Sequence, residues 1–393
     1  MANHDLVKRI QDSLKEAGLP AWLFYGFHEI DPIALRILRF GEGYHATRRW
    51  FYLVPAEGSP TKLVHRIESG MLDHLPGDKT VYLRWQELRQ GLKQLLKGTP
   101  QAAMQYSSLP YISRVDAGTV DQVREAGCDP VSSENLVQIF EAVWSPAQLK
   151  GHHRSAEILT RTVNQAFEYA AERLRKGERV PETDIQDFIL RAFEREDLVT
   201  DSPPIVGVDE HAGNPHYSPT AESHGLLEKD RFLLIDLWAK ENKPGAVFAD
   251  ITWTAYFGSE VPDKISQVFE VVRSGRDAGF ELLRQRWEQG APVEGWEVDD
   301  AARKVISEAG YGDDFVHRLG HNLGEETHGN GVNFDNLETH DVRQVIPGIG
   351  CTIEPGVYLP EFGIRSEIDV YMDPEKGPQI TTPPQNELLR FDI

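Results

Sequence analysis

Apolar residues in the first 140 positions come in two rhythms. In MANHDLVKRIQDSLKEAGLP, Leu6, Ile10 and Leu14 recur at helical spacing, and Gly18 and Pro20 end the run, which predicts an amphipathic helix. Four short dense runs follow, AWLFYGF, RRWFYLV, TKLVHRI and KTVYLRW, whose β-branched and aromatic content predicts strands. Helix-like stretches, QELRQGLKQLLKG and VDQVREAG, alternate with the strand-like runs. Residues 1–144 are therefore expected to form an α/β domain.

At VWSPAQLKG the rhythm changes. Ser145 is placed to cap a helix and Pro146 to occupy its first position, where a missing N–H costs nothing. A long helix should follow, with Ile158, Val163, Phe167 and Leu174 on its apolar face, then a second helix from about Glu182, then strands ending in ITWTAYFG. Beyond residue 260 the same plan recurs: ISQVFEVVRSGRDAGFELLRQRW, VDDAARKVISEAG, then strands through YLPEFGIRSEIDVYM. Residues 145–393 thus read as one α+β domain of two similar halves.

Composition narrows the class. With 40% hydrophobic and 26% charged residues the chain is globular. Its 41 basic and 62 acidic residues leave a net charge of −21, which argues against nucleic acid as a partner. Cys128 and Cys351 are far apart and lack metal-ligand spacing, so a reducing compartment fits. The amphipathic N-terminus is unlike a signal peptide, and no run approaches the roughly 18 to 20 apolar residues of a membrane span. The expected location is cytoplasmic.

Candidate chemistry concentrates in three places. HRLGHNLGEETHGNG carries His317, His321 and His328, but Gly320 and Gly324 weaken any helix there, and Arg318 stands where a helical zinc-protease motif needs glutamate. The imidazoles therefore need partners from elsewhere. In RFLLIDLWAKENKPGAVFADITWT, a hairpin centred near Lys243 would set Asp236 opposite Asp250. In CTIEPGVYLPEFGIRSEIDVYM, a tight turn through Pro360 and Glu361 would set Glu354 opposite Glu367. Like charges about 5 Å apart repel by roughly 0.8 kcal/mol in water and about 3 kcal/mol at an effective dielectric near 20. Two such pairs inside apolar strands call for a cation or a shared proton; solvated strand faces, or a neighbour such as Arg365, are the plainer alternatives. Four carboxylates and one imidazole would be neutralised by two divalent ions, and an oxygen-rich set with one nitrogen suits manganese, cobalt, iron or zinc.

These segments, LLID, FADITWT, HRLGHNLGEETH, TIEPGVY and GIRSEID in that order, resemble the ligand pattern of the pita-bread metallopeptidases of family M24, the group of methionine aminopeptidase, Xaa-Pro aminopeptidase and prolidase. The resemblance covers about residues 147 to 393, and the added α/β domain is similar to that of the creatinase and prolidase branch. It implies a pita-bread catalytic domain with two pseudo-symmetric halves. It also implies Asp236 on one metal, His321 and Glu354 on the other, and Asp250 and Glu367 bridging both. Glu354, His328 and His216 would be catalytic; His317, His216, His328, Tyr358 and Arg365 would contact substrate, with Arg365 alternatively a counter-ion. Three positions depart from the pattern: the connection between the two aspartates is long, Trp253 replaces an arginine, and His340 stands where some prolidases place a carboxylate-binding arginine.

The implied function is hydrolysis of the Xaa-Pro bond by a dinuclear metal site, with manganese the expected metal, small proline-containing peptides the substrates and a homodimer the assembly. Dipeptides are the expected substrates, with an Xaa-Pro aminopeptidase as the alternative. A metal-free binding module and a creatinase-like hydrolase of small amidines are readings of other classes, and both usually lack these ligands. Asp31, in GFHEIDPIALR, is a candidate for the substrate ammonium, contributed by a partner subunit; a helix N-cap is the competing reading.

Overall fold

The computed structural model describes residues 2–41 and 43–393, and the chain divides into two compact units, Met1–Glu141 and Ala142–Ile393.

The first unit is built on a six-stranded mixed sheet. Its strand order is Asp78–Tyr82, Thr61–His65, Trp50–Pro55, Ala21–Gly26, Gln101–Met104 and Asp129–Ser132. The expected strands are all present, and the last two join as parallel neighbours. Ala21–Gly26 is buried throughout because both faces are covered: Trp22 and Phe24 enter one core with Leu6, Ile10 and Leu14 of the first helix, while Leu23 and Tyr25 enter another with Leu88 and Leu92.

The second unit begins just before the helix expected to open it. Trp144 stacks on Tyr371 at 5.6 Å and donates its indole N–H to the Leu323 carbonyl at 3.0 Å, so the residues ahead of the helix already belong here. Ser145 caps Pro146–Arg175 as expected, and Gln148 returns a side-chain bond to the Ser145 N–H at 2.9 Å. The two halves follow. Pro146–Arg175 and Glu182–Arg195 cover strands Arg231–Glu241 and Ala249–Phe257, with Val163, Phe167, Ile235 and Ile251 in a common core. Asp263–Glu288 and Gly295–Glu308 cover a second sheet, ordered Asn322–Leu323, Gly350–Ile353, Ile368–Asp373 and Gly377–Ile380, with Val268, Val298, Ile353 and Val370 in its core.

Candidate metal centre

The two acidic hairpins form, the second in the expected register and the first in another. In the second, Ile353 pairs with Ile368 and Gly356 with Arg365, so Glu354 and Glu367 fall in register between two ladders, as the tight Pro360 turn predicts. In the first, the expected register is wrong. Asp236 pairs with Thr252, and Asp250 pairs with Trp238. The reason lies in the connection: Ala246 N–H donates to the Lys243 carbonyl at 3.2 Å, and Gly245 takes φ +77°. Pro244 and Gly245 therefore form the middle of the turn, Gly245 supplying the positive φ of a type II turn, which moves the centre beyond Lys243. Because the shift preserves the alternation of faces, Asp236 and Asp250 still share one face but are staggered rather than opposed.

Thr252 fills the place thus left beside Asp236. Its hydroxyl donates to Glu367 Oε2 at 2.7 Å and accepts from Arg365 Nε at 3.0 Å, tying the two hairpins together. Asp250, His321 and Glu367 each offer a ligand atom, all within 4.8 Å of one another. His321 Nε2 lies 3.3 Å from Glu354 Oε1 and 3.8 Å from Asp250 Oδ2. Asp236 is drawn to Arg365, whose Nη2 lies 2.5 Å from its Oδ2. Arg365 is thus a counter-ion in this arrangement, and it also donates to the Tyr358 hydroxyl at 2.7 Å.

The electrostatics leave the cluster short of positive charge. Burial, then the charges of Glu367 and Asp236, push the Asp250 carboxyl well above the usual range. Glu367 is raised in the same way by burial and by Glu354 and Asp236, and burial brings Glu354 up to about 7. Burial pushes the His321 imidazole well below its usual value, so the ring is neutral. Its Nδ1 faces the Asn322 carbonyl at 3.3 Å and must carry the proton, which turns the Nε2 lone pair toward the Glu354 and Asp250 oxygens. Acceptors facing acceptors need a cation or a shared proton between them. Asp236 Oδ1 and Asp250 Oδ1, both buried, have no hydrogen-bond partner among the described residues. These donors fit divalent metal ions, and the carbonyl contact at Nδ1 is the usual way of orienting a ligating histidine.

A cleft of about 910 Å³ opens over the cluster, lined by all five of these residues and by His216, His317, His328 and Arg365. His328, exposed at the cleft surface, packs edge-on against the His321 ring at 4.3 Å, and desolvation by its surroundings, then the charge of Arg318, lowers its pKa to about 4. His317 is half-buried, and desolvation lowers it to about 3; its Nδ1 donates to the Arg318 carbonyl, leaving Nε2 to accept from the Tyr358 hydroxyl, each at 2.7 Å. Tyr358 is therefore the link between His317 and Arg365. His216 sits exposed on the cleft wall.

Other candidates lie elsewhere. Asp31 belongs to the first unit, where it is 2% exposed and caps Pro32–Ile37 by accepting from Ala34 N–H at 2.9 Å. His340 is not among the cleft-lining residues; it bonds Asn336 and packs on Trp296. Trp253 packs on the core of the first half. Sequence reasoning missed Thr252, Asp201, Trp238 and the side chain of Arg318. Thr252 carried a readable signal, since it stands two residues after Asp250 and so on the same strand face. Asp201 accepts from Trp238 Nε1 and the Thr327 hydroxyl, each at 2.7 Å, a juxtaposition of distant segments with no local signature.

A sequence model of metallopeptidase family M24 matches residues 154–374. An uncharacterised peptidase of Staphylococcus saprophyticus is 30% identical over 201 residues, 50% of this chain and 51% of that protein. A Xaa-Pro dipeptidase of Lactobacillus delbrueckii subsp. lactis is 31% identical over 205 residues, 51% of this chain and 50% of that one. The chain thus spans about half the length of these curated relatives. The crystal structure of dipeptidase PepE from Mycobacterium ulcerans superimposes with a TM-score of 0.68 at 21% identity, covering 100% of this chain and 98% of that one. That likeness concerns the fold: an α/β domain followed by the pita-bread domain.

Proposed function

Because this chain belongs to metallopeptidase family M24, we propose that it hydrolyses the Xaa-Pro peptide bond, in dipeptides, using two divalent metal ions held by Asp236, Asp250, His321, Glu354 and Glu367. The observation that carries this reading is the buried group of acidic oxygens and one neutral imidazole, with carboxylate atoms left without partners. A relative named Xaa-Pro dipeptidase supports the choice of bond. Manganese is the metal we assign, and a cytoplasmic homodimer the form we expect.

Divalent ions bound at such a site supply a water acidic enough to ionise near neutral pH and polarise a carbonyl. The chain's own groups do the rest. Glu354, whose carboxyl is raised by burial, accepts a proton and passes it to the leaving nitrogen. His328 is neutral at pH 7 and offers an N–H to the oxygen that becomes negative. His216, on the exposed wall, contacts the substrate near the leaving imino group. Tyr358 fixes His317 on one side and Arg365 on the other, and Arg365 holds Asp236 in place.

The test is hydrolysis of Xaa-Pro against Xaa-Pro-Yaa by metal-stripped enzyme, before and after manganese is added. Cleavage of the dipeptide alone, only with metal, is the expected result. Cleavage of the tripeptide at comparable rates would make the enzyme an aminopeptidase, and absence of both metal uptake and cleavage would leave a binding module.

A further inference from the structure

Seven carboxylate-bearing residues and two arginines line the cleft. Arg365 is committed to Asp236, Thr252 and Tyr358. Arg318 is not. Among the described residues its bonds run through its backbone, the N–H to Glu338 Oε1 at 3.2 Å and the carbonyl to the His317 ring at 2.7 Å, and its guanidinium has no hydrogen bond or ion pair. A half-buried guanidinium beside so many acids would ordinarily take one of them as partner.

The backbone that carries it is rigidly held. Asp299, fully buried, binds Arg303 at 2.8 and 3.0 Å. Arg303 in turn donates to the carbonyls of Phe315 and His317 at 2.8 and 2.9 Å. Arg318 is thus the next residue after a braced segment, between His317 and His321. It lines the same cleft as His321, His328 and the acidic cluster. The fold presents a positioned cation to the cleft and gives it nothing to bind.

We propose that Arg318 receives the terminal carboxylate of the substrate and so restricts the enzyme to peptides that end at the residue after the scissile bond. This rests on the peptidase reading above. In a cleft with seven acidic side chains, Arg318 offers a free carboxylate a guanidinium committed to no other group, whose planar fork meets both its oxygens. A longer peptide presents a neutral amide at the same point and gains nothing from the charge. Arg318 is therefore a specificity-determining residue.

The experiment compares alanyl-proline with its C-terminal amide, on manganese-loaded wild type, Arg318→Gln and Arg318→Lys. Both steady-state kinetics and calorimetric binding are measured, and thermal melts and metal content check that each variant is folded and loaded. For the wild type, kcat/KM favours the acid over the amide by about 10- to 100-fold, mostly through KM. Arg318→Gln brings the ratio close to one, and Arg318→Lys leaves an intermediate ratio, keeping charge without the two-pronged geometry. A wild type without preference for the acid, or an Arg318→Gln variant that weakens acid and amide equally, overturns the proposal. The binding ratio decides this even if neither compound is cut, whereas binding without cleavage counts against the peptidase reading alone.

Discussion

Asp341 and Asp250 are both buried aspartates of the second unit, and the fold treats them in opposite ways. Asp341, 0% exposed, receives Arg343 Nη2 at 2.5 Å, Arg343 Nε at 2.9 Å and the Asn333 N–H at 2.9 Å. Asp250, 4% exposed, has one oxygen without a partner, and its other is 3.8 Å from a neutral imidazole. At Asp341 the chain supplies the cation itself. At the cluster of Asp250, Glu354 and Glu367 it does not, and the acids there need a bound cation or extra protons to coexist.

Substitution at both aspartate sites sharpens the contrast. Asp250→Asn should lower turnover by about 1,000-fold or more, with reduced metal uptake by elemental analysis. The same change should raise the melting temperature of the metal-free protein, because it removes one of several mutually repelling charges. Arg343→Met should do the reverse, destabilising the fold by about 3 to 5 kcal/mol in denaturant melts, since it strands Asp341 without its cation. A metal-free protein destabilised by Asp250→Asn would break the comparison.

Acidity gives the next test. Glu354 has its folded pKa raised from 4.5 to about 7, so between those values the folded state binds more protons than the unfolded one. The Glu354 contribution to the stability of the metal-free protein therefore falls as pH rises from about 4.5 to about 7, and Asp250 and Glu367, raised in the same direction, add to the loss. The lowered His317, His321 and His328 favour the opposite trend below their usual range, so the test is the change on substitution: in melts of chelated protein, Glu354→Gln should gain more stability at pH 8 than at pH 5, and saturating manganese should remove that gain.

Smaller effects are expected from single contacts. Tyr358→Phe removes the hydroxyl between His317 and Arg365 and should reduce kcat by about tenfold and stability by about 1 to 3 kcal/mol, since both groups lose that partner. Asp31→Ala should cost about 1 kcal/mol through the lost cap, with Asp31→Asn close to wild type. The idea that Asp31 holds a substrate ammonium fails if Asp31→Ala retains dipeptide turnover and still excludes tripeptides.

What could be read in advance depended on how local its cause was. The helix at Pro146 was legible because Ser145 caps it within one turn. The second hairpin was legible because Pro360 and Glu361 leave the chain little freedom. The first was read with its turn at Lys243, since KENKPG admits several centres and the choice of Pro244 and Gly245 depends on backbone geometry. His317, His321 and His328 all line the cleft, whereas Arg318 was weighed only as a residue that spoils a helical motif. Its lack of a partner is a property of the assembled surface, which no stretch of sequence displays.

Trp144 also bears on how the two units can be separated. Its ring covers Gly350 so closely that an added Cβ would lie 2.0 Å from it. Gln148, in the first turn of the next helix, donates to the Gly245 carbonyl at 3.0 Å, bracing the loop between the two aspartate strands. A gene fragment starting at the helix would therefore uncover a strand of the second sheet, and one starting a turn later would also loosen that loop. Cloning of the second unit should begin no later than Ala142.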